Sequence, residues 1–354
     1  MTSQPEIRDD DVVLTDIRDA HRFDVAALTA YLEAEVPEMK APFEIRQFEG
    51  GQSNPTFLLT GADGVRYVLR KQPPGELLPS AHRVDREFRV MSGLAKTEVP
   101  VPEMLHLCKE TEIIGTMFFV MRHVDGRMHA DPLLKALPRE ERIQVYDHFI
   151  EVLAKLHTVD LAAAGLETYG RPSNYFGRQV DIWSKQYVAS KTGDIAAMDA
   201  LMEWLPENLP EDEAPAIVHG DFRLANMILH PTEPRIVAVL DWELSTLGQP
   251  LADVSYCCLG FNGKLIEPNF SGVDLAAEGL PDEAHFLAHY CRHAGRPPVE
   301  NWPFYLAFSG FRSAAIIQGV YKRGLDGIAS SEGTERFADK CRSRAEAAWA
   351  LVGG

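Results

Sequence analysis

Three polar residues stand at loop spacing against apolar runs. In Ile217-Val218-His219-Gly220-Asp221-Phe222-Arg223-Leu224-Ala225-Asn226 an aspartate precedes an asparagine by five positions, and Val237-Ala238-Val239-Leu240-Asp241-Trp242-Glu243 ends an apolar run on a second aspartate. Met227-Ile228-Leu229 and Ile236 to Leu240 read as two short buried strands joined by the turn His230-Pro231-Thr232-Glu233-Pro234. Asp221 and Asn226 then sit in a loop entering one strand, Asp241 ends its partner, and the three side chains are expected to converge. Transfer of a γ-phosphoryl group needs a carboxylate to orient the acceptor hydroxyl and oxygen ligands to hold Mg²⁺ on the nucleotide phosphates. Asp221 suits the first task; Asn226 and Asp241 suit the second. A lone His-Gly-Asp would read as a turn with a local side-chain hydrogen bond. The step to Asn226, the flanking strands and Asp241 favour the chemical reading. His219 is expected to brace the loop rather than to move protons.

The elements that must position these groups follow from periodicity. Val25, Leu28, Tyr31 and Leu32 recur at helical spacing before Pro37. Residues 43–48, 56–60 and 66–71 are short β-prone runs, with Ala62-Asp63-Gly64 turning the chain between the last two. Val84, Glu87, Phe88 and Met91 lie at i, i+3, i+4 and i+7 of a helix. Strands return at 103–108 and 116–122. Beyond Asp125-Gly126 the pattern is mainly helical, interrupted only by the two catalytic strands, and Pro303 to Arg323 is apolar on most faces. The expected organisation is α+β: a small β-rich lobe with a leading helix over residues 1–124, and a larger, mainly helical lobe over 125–354.

Within the strand at 66–71, alternation puts Val68 and Arg70 on one face and Tyr67, Leu69 and Lys71 on the other. A small residue and a cation belong over a nucleotide, so Arg70 is the expected phosphate-pairing group, its fork able to hold two oxygens. Lys71 takes its place if a bulge shifts the register, and a solvated basic pair is the plain alternative. Glu87, near the apolar flank of its helix, needs a cation. Arg70 is one candidate; a surface pair with Arg83 or Lys71 is another. Gly51, Gln52, Ser53 and Asn54 lie between two strands, where small residues let backbone N–H groups approach a triphosphate.

The pattern H-G-D-x4-N followed by D-W-E resembles the aminoglycoside phosphotransferase and choline kinase superfamily, a branch of the protein-kinase-like bilobal fold. Leu153-Ala154-Lys155-Leu156-His157 resembles that family's L-x-x-L-H helix, and Gly248-Gln249-Pro250-Leu251-Ala252-Asp253 its G-x-P-x-x-D segment. Tyr67 to Gly75, and Phe311-Arg312 with Gln318-Gly319-Val320, most resemble the phosphotransferase-like domain fused to certain acyl-CoA dehydrogenases. The resemblance implies ATP and Mg²⁺ as cofactors, a Glu87–Arg70 pair like the Lys–Glu pair of kinases, and adenine contacts through backbone groups of the hinge at Phe119 to Val124, with Arg122 and Val124 among the nucleotide-binding residues; Met121 is expected in the core. It also implies Asp241 as the metal aspartate, with Trp242-Glu243 where protein kinases carry Phe-Gly. Glu243 is either a second acidic group near the metal or a solvated carboxylate. Asp253 would cap a helix or brace the catalytic loop, and His157 would be structural.

The implied activity is transfer from ATP to a small-molecule hydroxyl, with Arg312 and Gln318 as acceptor contacts. Between Asn301 and Gly324 there is no Asp or Glu, while Arg312, Lys322 and Arg323 stand among aromatic residues. Such a wall suits a hydroxyacyl or other anionic or apolar acceptor; a buried helix whose cations face solvent would read the same. An aminoglycoside or amino-alcohol acceptor is the first alternative, and a non-catalytic nucleotide-binding module the second. The formal charge of −17 over 354 residues argues against nucleic acid or an anionic membrane as partner. Five cysteines without C-x-x-C spacing fit a reducing compartment. With a polar stretch from Met1 to Asp11 and only short apolar runs, they point to the cytoplasm. Oligomeric state leaves no signature in these residues.

Overall fold

The computed structural model describes residues 13–49, 54–75, 82–326 and 335–353. The chain packs as two compact units that are not contiguous in sequence. The first takes the chain up to Ala130 together with Val159–Tyr169 and Leu224–Ser245; the second takes Asp131–Thr158, Gly170–Arg223 and Thr246 onward. Two segments beyond residue 124 thus belong with the sheet.

The first unit is built on an antiparallel six-stranded sheet. Its strands are β1 (Leu14–Thr15), β2 (Glu44–Phe48), β3 (Thr56–Thr60), β4 (Arg66–Lys71), β5 (Met104–Cys108) and β6 (Phe118–Arg122), in the order β1-β2-β3-β4-β6-β5. Strand alternation sorts its side chains. Phe57, Leu59, Tyr67, Leu69, Phe118 and Val120 join Leu28 and Leu32 of the Val25–Glu35 helix in one apolar core. Asp24 caps that helix, its Oδ1 accepting from the Ala27 N–H at 2.9 Å. The other face carries Val68 and Arg70, in register with Met121 and Phe119. The Val84–Leu94 helix buries Val84, Glu87, Val90 and Met91.

In the second unit, β7 (Ala216–Val218) is separated in sequence from its partner by a short hairpin that packs in the first unit: β8 (Met227–Leu229) antiparallel to β9 (Ile236–Val239). That partner is β10 (Thr246–Gly248). This ladder corrects the expectation that only two strands interrupt the helical region: three residues ending in glycine carry no strand signal until they meet β7. Helices Arg139–His157, Tyr175–Ser190, Leu251–Cys258, Glu283–His293 and Trp302–Leu325 form most of the rest. Phe304 to Ala315 are all buried along Trp302–Leu325, which packs on Tyr175–Ser190, Leu251–Cys258 and Glu335–Trp349. Its apolar run is therefore that of a core helix. No helix among the described residues is long and apolar enough to cross a membrane.

Candidate active site

In the first unit the free face of the sheet opens onto a cavity of about 210 Å³. Thr56, Val68 and Phe119 line it with Leu240, and Arg70, Glu87 and Asp241 supply its charge. Arg70 is on this wall because β4 alternates without a bulge. Lys71 points the other way, 2% exposed, with Nζ 6.0 Å from the Phe23 ring, and burial lowers its pKa.

The Arg70 guanidinium is divided among three carboxylates. Nε donates to Glu87 Oε1 at 3.3 Å and lies 3.0 Å from Oε2, Nη2 donates to Asp241 Oδ1 at 3.2 Å, and Glu243 Oε2 lies 3.7 Å away. Burial alone would lower its pKa; Glu87, Asp241 and Glu243 together hold it above the ordinary value. Glu87 is only 2% exposed, and burial pushes its carboxyl up to about 7 against the attraction of Arg70. The same Oε1 accepts from Asn54 Nδ2 at 2.9 Å, and Asn54 Oδ1 meets His82 Nδ1 at 3.1 Å. The alternative partner, Arg83, pairs with Asp85 at 2.7 Å.

Asn226 and Asp241 are brought to one end of the β8–β9 hairpin, where the Leu240 N–H donates to the Asn226 carbonyl at 2.8 Å. Asp241 takes a left-handed backbone, φ 64°, a conformation that aspartate adopts more readily than most residues. The side-chain oxygens of Asn226, Asp241 and Glu243 are the hard donor set that Mg²⁺ takes, so the residues present fit that ion. Gly126 packs so close to the hairpin that a Cβ there would stand 2.1 Å from the Leu229 carbonyl oxygen. This close approach fixes the turn after the hinge.

Arg122 and Val124 also line the cavity, Arg122 pairing with Glu103 and Glu38, each at 2.6 Å. Met121, expected in the core, lines it too, because its register with Val68 puts it on the open face of the sheet. Gly51, Gln52 and Ser53 lie outside the described residues.

The second unit carries the His219–Arg223 loop. Gly220, at φ 86°, makes the turn out of β7 that a side chain would strain. Asp253, fully buried, accepts the backbone N–H groups of His219 at 2.6 Å and Gly220 at 2.8 Å. His157 Nε2 lies 3.4 Å from the same carboxylate and its Nδ1 meets the Tyr290 hydroxyl at 2.8 Å. Burial would raise the Asp253 pKa; the His157 hydrogen bond and charge, with His219, outweigh it and hold the group below its usual value. His219 Nδ1 accepts the Asp221 N–H at 3.2 Å, so the imidazole holds the loop as expected. Asp221 itself takes the Tyr256 hydroxyl on Oδ1 at 2.5 Å and Arg223 Nε on Oδ2 at 3.1 Å.

Arg312 and Gln318 are both buried in Trp302–Leu325. Arg312 Nη2 donates to the Gly220 carbonyl at 2.6 Å, with its guanidinium 5.7 Å from the Tyr256 ring. Gln318 Nε2 bridges Ser190 O at 2.8 Å and Thr192 Oγ1 at 3.0 Å, a helix-to-loop tie. Sequence reasoning missed Tyr256, although it follows Asp253 by three positions and so shares its helix face.

A family model described as the phosphotransferase enzyme family matches residues 44–297. Acyl-CoA dehydrogenase family member 10 of Mus musculus is 47% identical over 311 residues, 87% of this chain and 29% of its own length. Family member 11 of Homo sapiens is 42% identical over 94% of this chain and 44% of its own length. The chain thus spans less than half of either relative. A candidate aminoglycoside phosphotransferase from Ralstonia eutropha superposes with TM-score 0.85 and 45% identity, covering 94% of this chain and 99% of that one. A choline kinase from Cryptosporidium parvum, 12% identical, shares the fold at TM-score 0.63 over 93% of this chain and 97% of its own. An aminoglycoside phosphotransferase solved with AMP-PNP and hygromycin B does so at 0.54 and 20% identity, over 93% and 99%. The fold is kinase-like.

Proposed function

This chain belongs to the phosphotransferase enzyme family, and on that premise we propose that it is an ATP-dependent kinase that moves the γ-phosphoryl group to the hydroxyl of a small molecule. The observation that carries the reading is Arg70, held on a cavity wall between Glu87 and Asp241. A cation fixed by a buried carboxylate is placed to grip phosphate oxygens without first giving up rotamer freedom. Asn54 and Arg70 orient Glu87. Asn226 and Asp241 would hold the nucleotide's Mg²⁺, which when bound neutralises phosphate charge. Asp221 accepts the acceptor's hydroxyl hydrogen and aims the oxygen at phosphorus, in a loop that Asp253 and His219 keep rigid. Catalysis is then alignment plus charge neutralisation.

For the acceptor we infer a hydroxylated compound with an anionic or acyl group. The cations around Asp221 support this: Arg223 sits on its carboxylate and Arg312 lies beyond Tyr256. An acceptor bearing several ammonium groups would meet like charge there. Kinship with acyl-CoA dehydrogenase family members points the same way. The test is a metabolite panel with Mg-ATP, containing hydroxyacyl thioesters, choline-like amines and aminoglycosides, read as ADP release above the acceptor-free rate. Stimulation by hydroxyacyl compounds supports the inference; stimulation by kanamycin-like compounds alone overturns the acceptor class. No stimulation, with no loss of basal ATP turnover in Asp221→Asn, overturns the kinase reading.

A further inference from the structure

We propose that Asp147, His285 and His289 form a binding site for a divalent transition metal of the Zn²⁺ or Co²⁺ kind, separate from the nucleotide chemistry. His285 and His289 are one turn apart on Glu283–His293, and Asp147 faces them from Arg139–His157, the helix packed against it in the second unit. Their three donor atoms all lie within 4.8 Å of one another. Asp147 Oδ1 is 3.2 Å from His289 Nδ1 and 3.8 Å from His285 Nε2. Ligands bound tetrahedrally at about 2.0–2.2 Å stand roughly 3.3–3.6 Å apart, so small rotamer shifts close the site.

A second observation concerns His289. Its Nδ1 is shut off from solvent and makes no hydrogen bond, although the Asp147 carboxylate is near. A buried ring nitrogen without a hydrogen bond is costly, and coordination would satisfy it. The site stays open on one side, since Asp147 and His285 keep 45% and 56% of their side chains exposed. Three protein ligands plus water complete a tetrahedron there. The donor chemistry separates it from the oxygen set of Asn226 and Asp241: imidazole selects Zn²⁺, Co²⁺, Ni²⁺ or Cu²⁺ over Mg²⁺. Bound metal would tie the two helices together.

The experiment titrates untagged, EDTA-dialysed full-length protein with Co²⁺ in excess Mg²⁺, following visible absorption, and repeats it with Zn²⁺ by calorimetry. One saturable site is expected, with affinity in the micromolar range or tighter. It should be lost in the His285→Ala/His289→Ala double variant, weakened at least tenfold in Asp147→Asn, and kept in Asp241→Asn. Thermal midpoints without metal control for folding; if the double variant melts early, the more exposed His285→Ala alone serves. Zn²⁺ should raise the wild-type midpoint and leave that of the variant unmoved. Millimolar or absent binding, or equal binding by the wild type and the His285 variants, overturns the site.

Discussion

Tyr256 donates its phenolic hydrogen to Oδ1 of Asp221 across 2.5 Å, so the carboxylate is aimed before any acceptor arrives. Asp221→Asn should lower turnover about 10²- to 10⁴-fold with nearly unchanged nucleotide affinity, the range for loss of a positioned acid or base. Tyr256→Phe removes only the aiming bond and should cost about tenfold. Steady-state kinetics with the best acceptor from the panel checks both; wild-type turnover in the asparagine variant would remove Asp221 from the mechanism.

Arg70→Ala should raise KM for ATP and slow turnover, whereas Lys71→Met should leave KM unchanged, because Lys71 lies in the apolar side of the sheet. The methionine keeps the stem and drops a charge that burial already disfavours. The reverse ranking would mean that the strand slips in solution.

Asp241→Ala should weaken nucleotide binding more with Mg²⁺ than with chelator present. Calorimetric titrations giving equal losses in the two conditions would count against a metal-binding role.

Glu87 gives a pH test. Its folded-state pKa, about 7, lies above the 4.5 of the free carboxyl. Between those values the folded protein binds more protons than the unfolded chain, so this group's contribution to stability falls as pH rises from 4.5 to 7. Relative to Glu87→Gln, wild type should lose up to ~3 kcal/mol across that window in urea unfolding. Parallel profiles would show that Arg70 keeps Glu87 ionised throughout.

Asp253→Asn should cost about 3 kcal/mol or more, since it leaves the His219 and Gly220 amides poorly matched in a buried site. Asp253's pKa is depressed, so its contribution is complete above the unfolded value of 3.8 and fades only as pH falls below it. Denaturant midpoints of the variant at pH 7 and pH 3 measure both statements.

What was readable in the chain was what periodicity controls. Alternation in 66–71 told which face Arg70 takes, because β4 pairs on both sides without a bulge. The β8–β9 hairpin was legible from two apolar runs around a Pro-rich turn. β10 was not, since Thr-Leu-Gly forms a strand only through β7, thirty residues earlier. Arg312 and Gln318 show the same limit: a polar group in an apolar helix is visible, but its partners, Gly220 and Ser190, are set by packing. The acid-free run from Asn301 to Gly324 belongs to a core helix, which burial explains without an acceptor.

The interleaving of the two units sets an order of events during synthesis. A nascent chain leaves the ribosome from its N-terminus, and domains that are continuous can fold as they emerge. Here the first six strands are released by Arg122, yet Ile228, Leu240 and Asp241 of the same unit arrive only as synthesis nears Ser245. Until then Val68 and Met121 lack the hairpin residues that line the cavity with them, and Arg70 lacks two of its three carboxylates, Asp241 and Glu243. The early sheet is thus a partly finished surface for the time needed to translate more than a hundred residues.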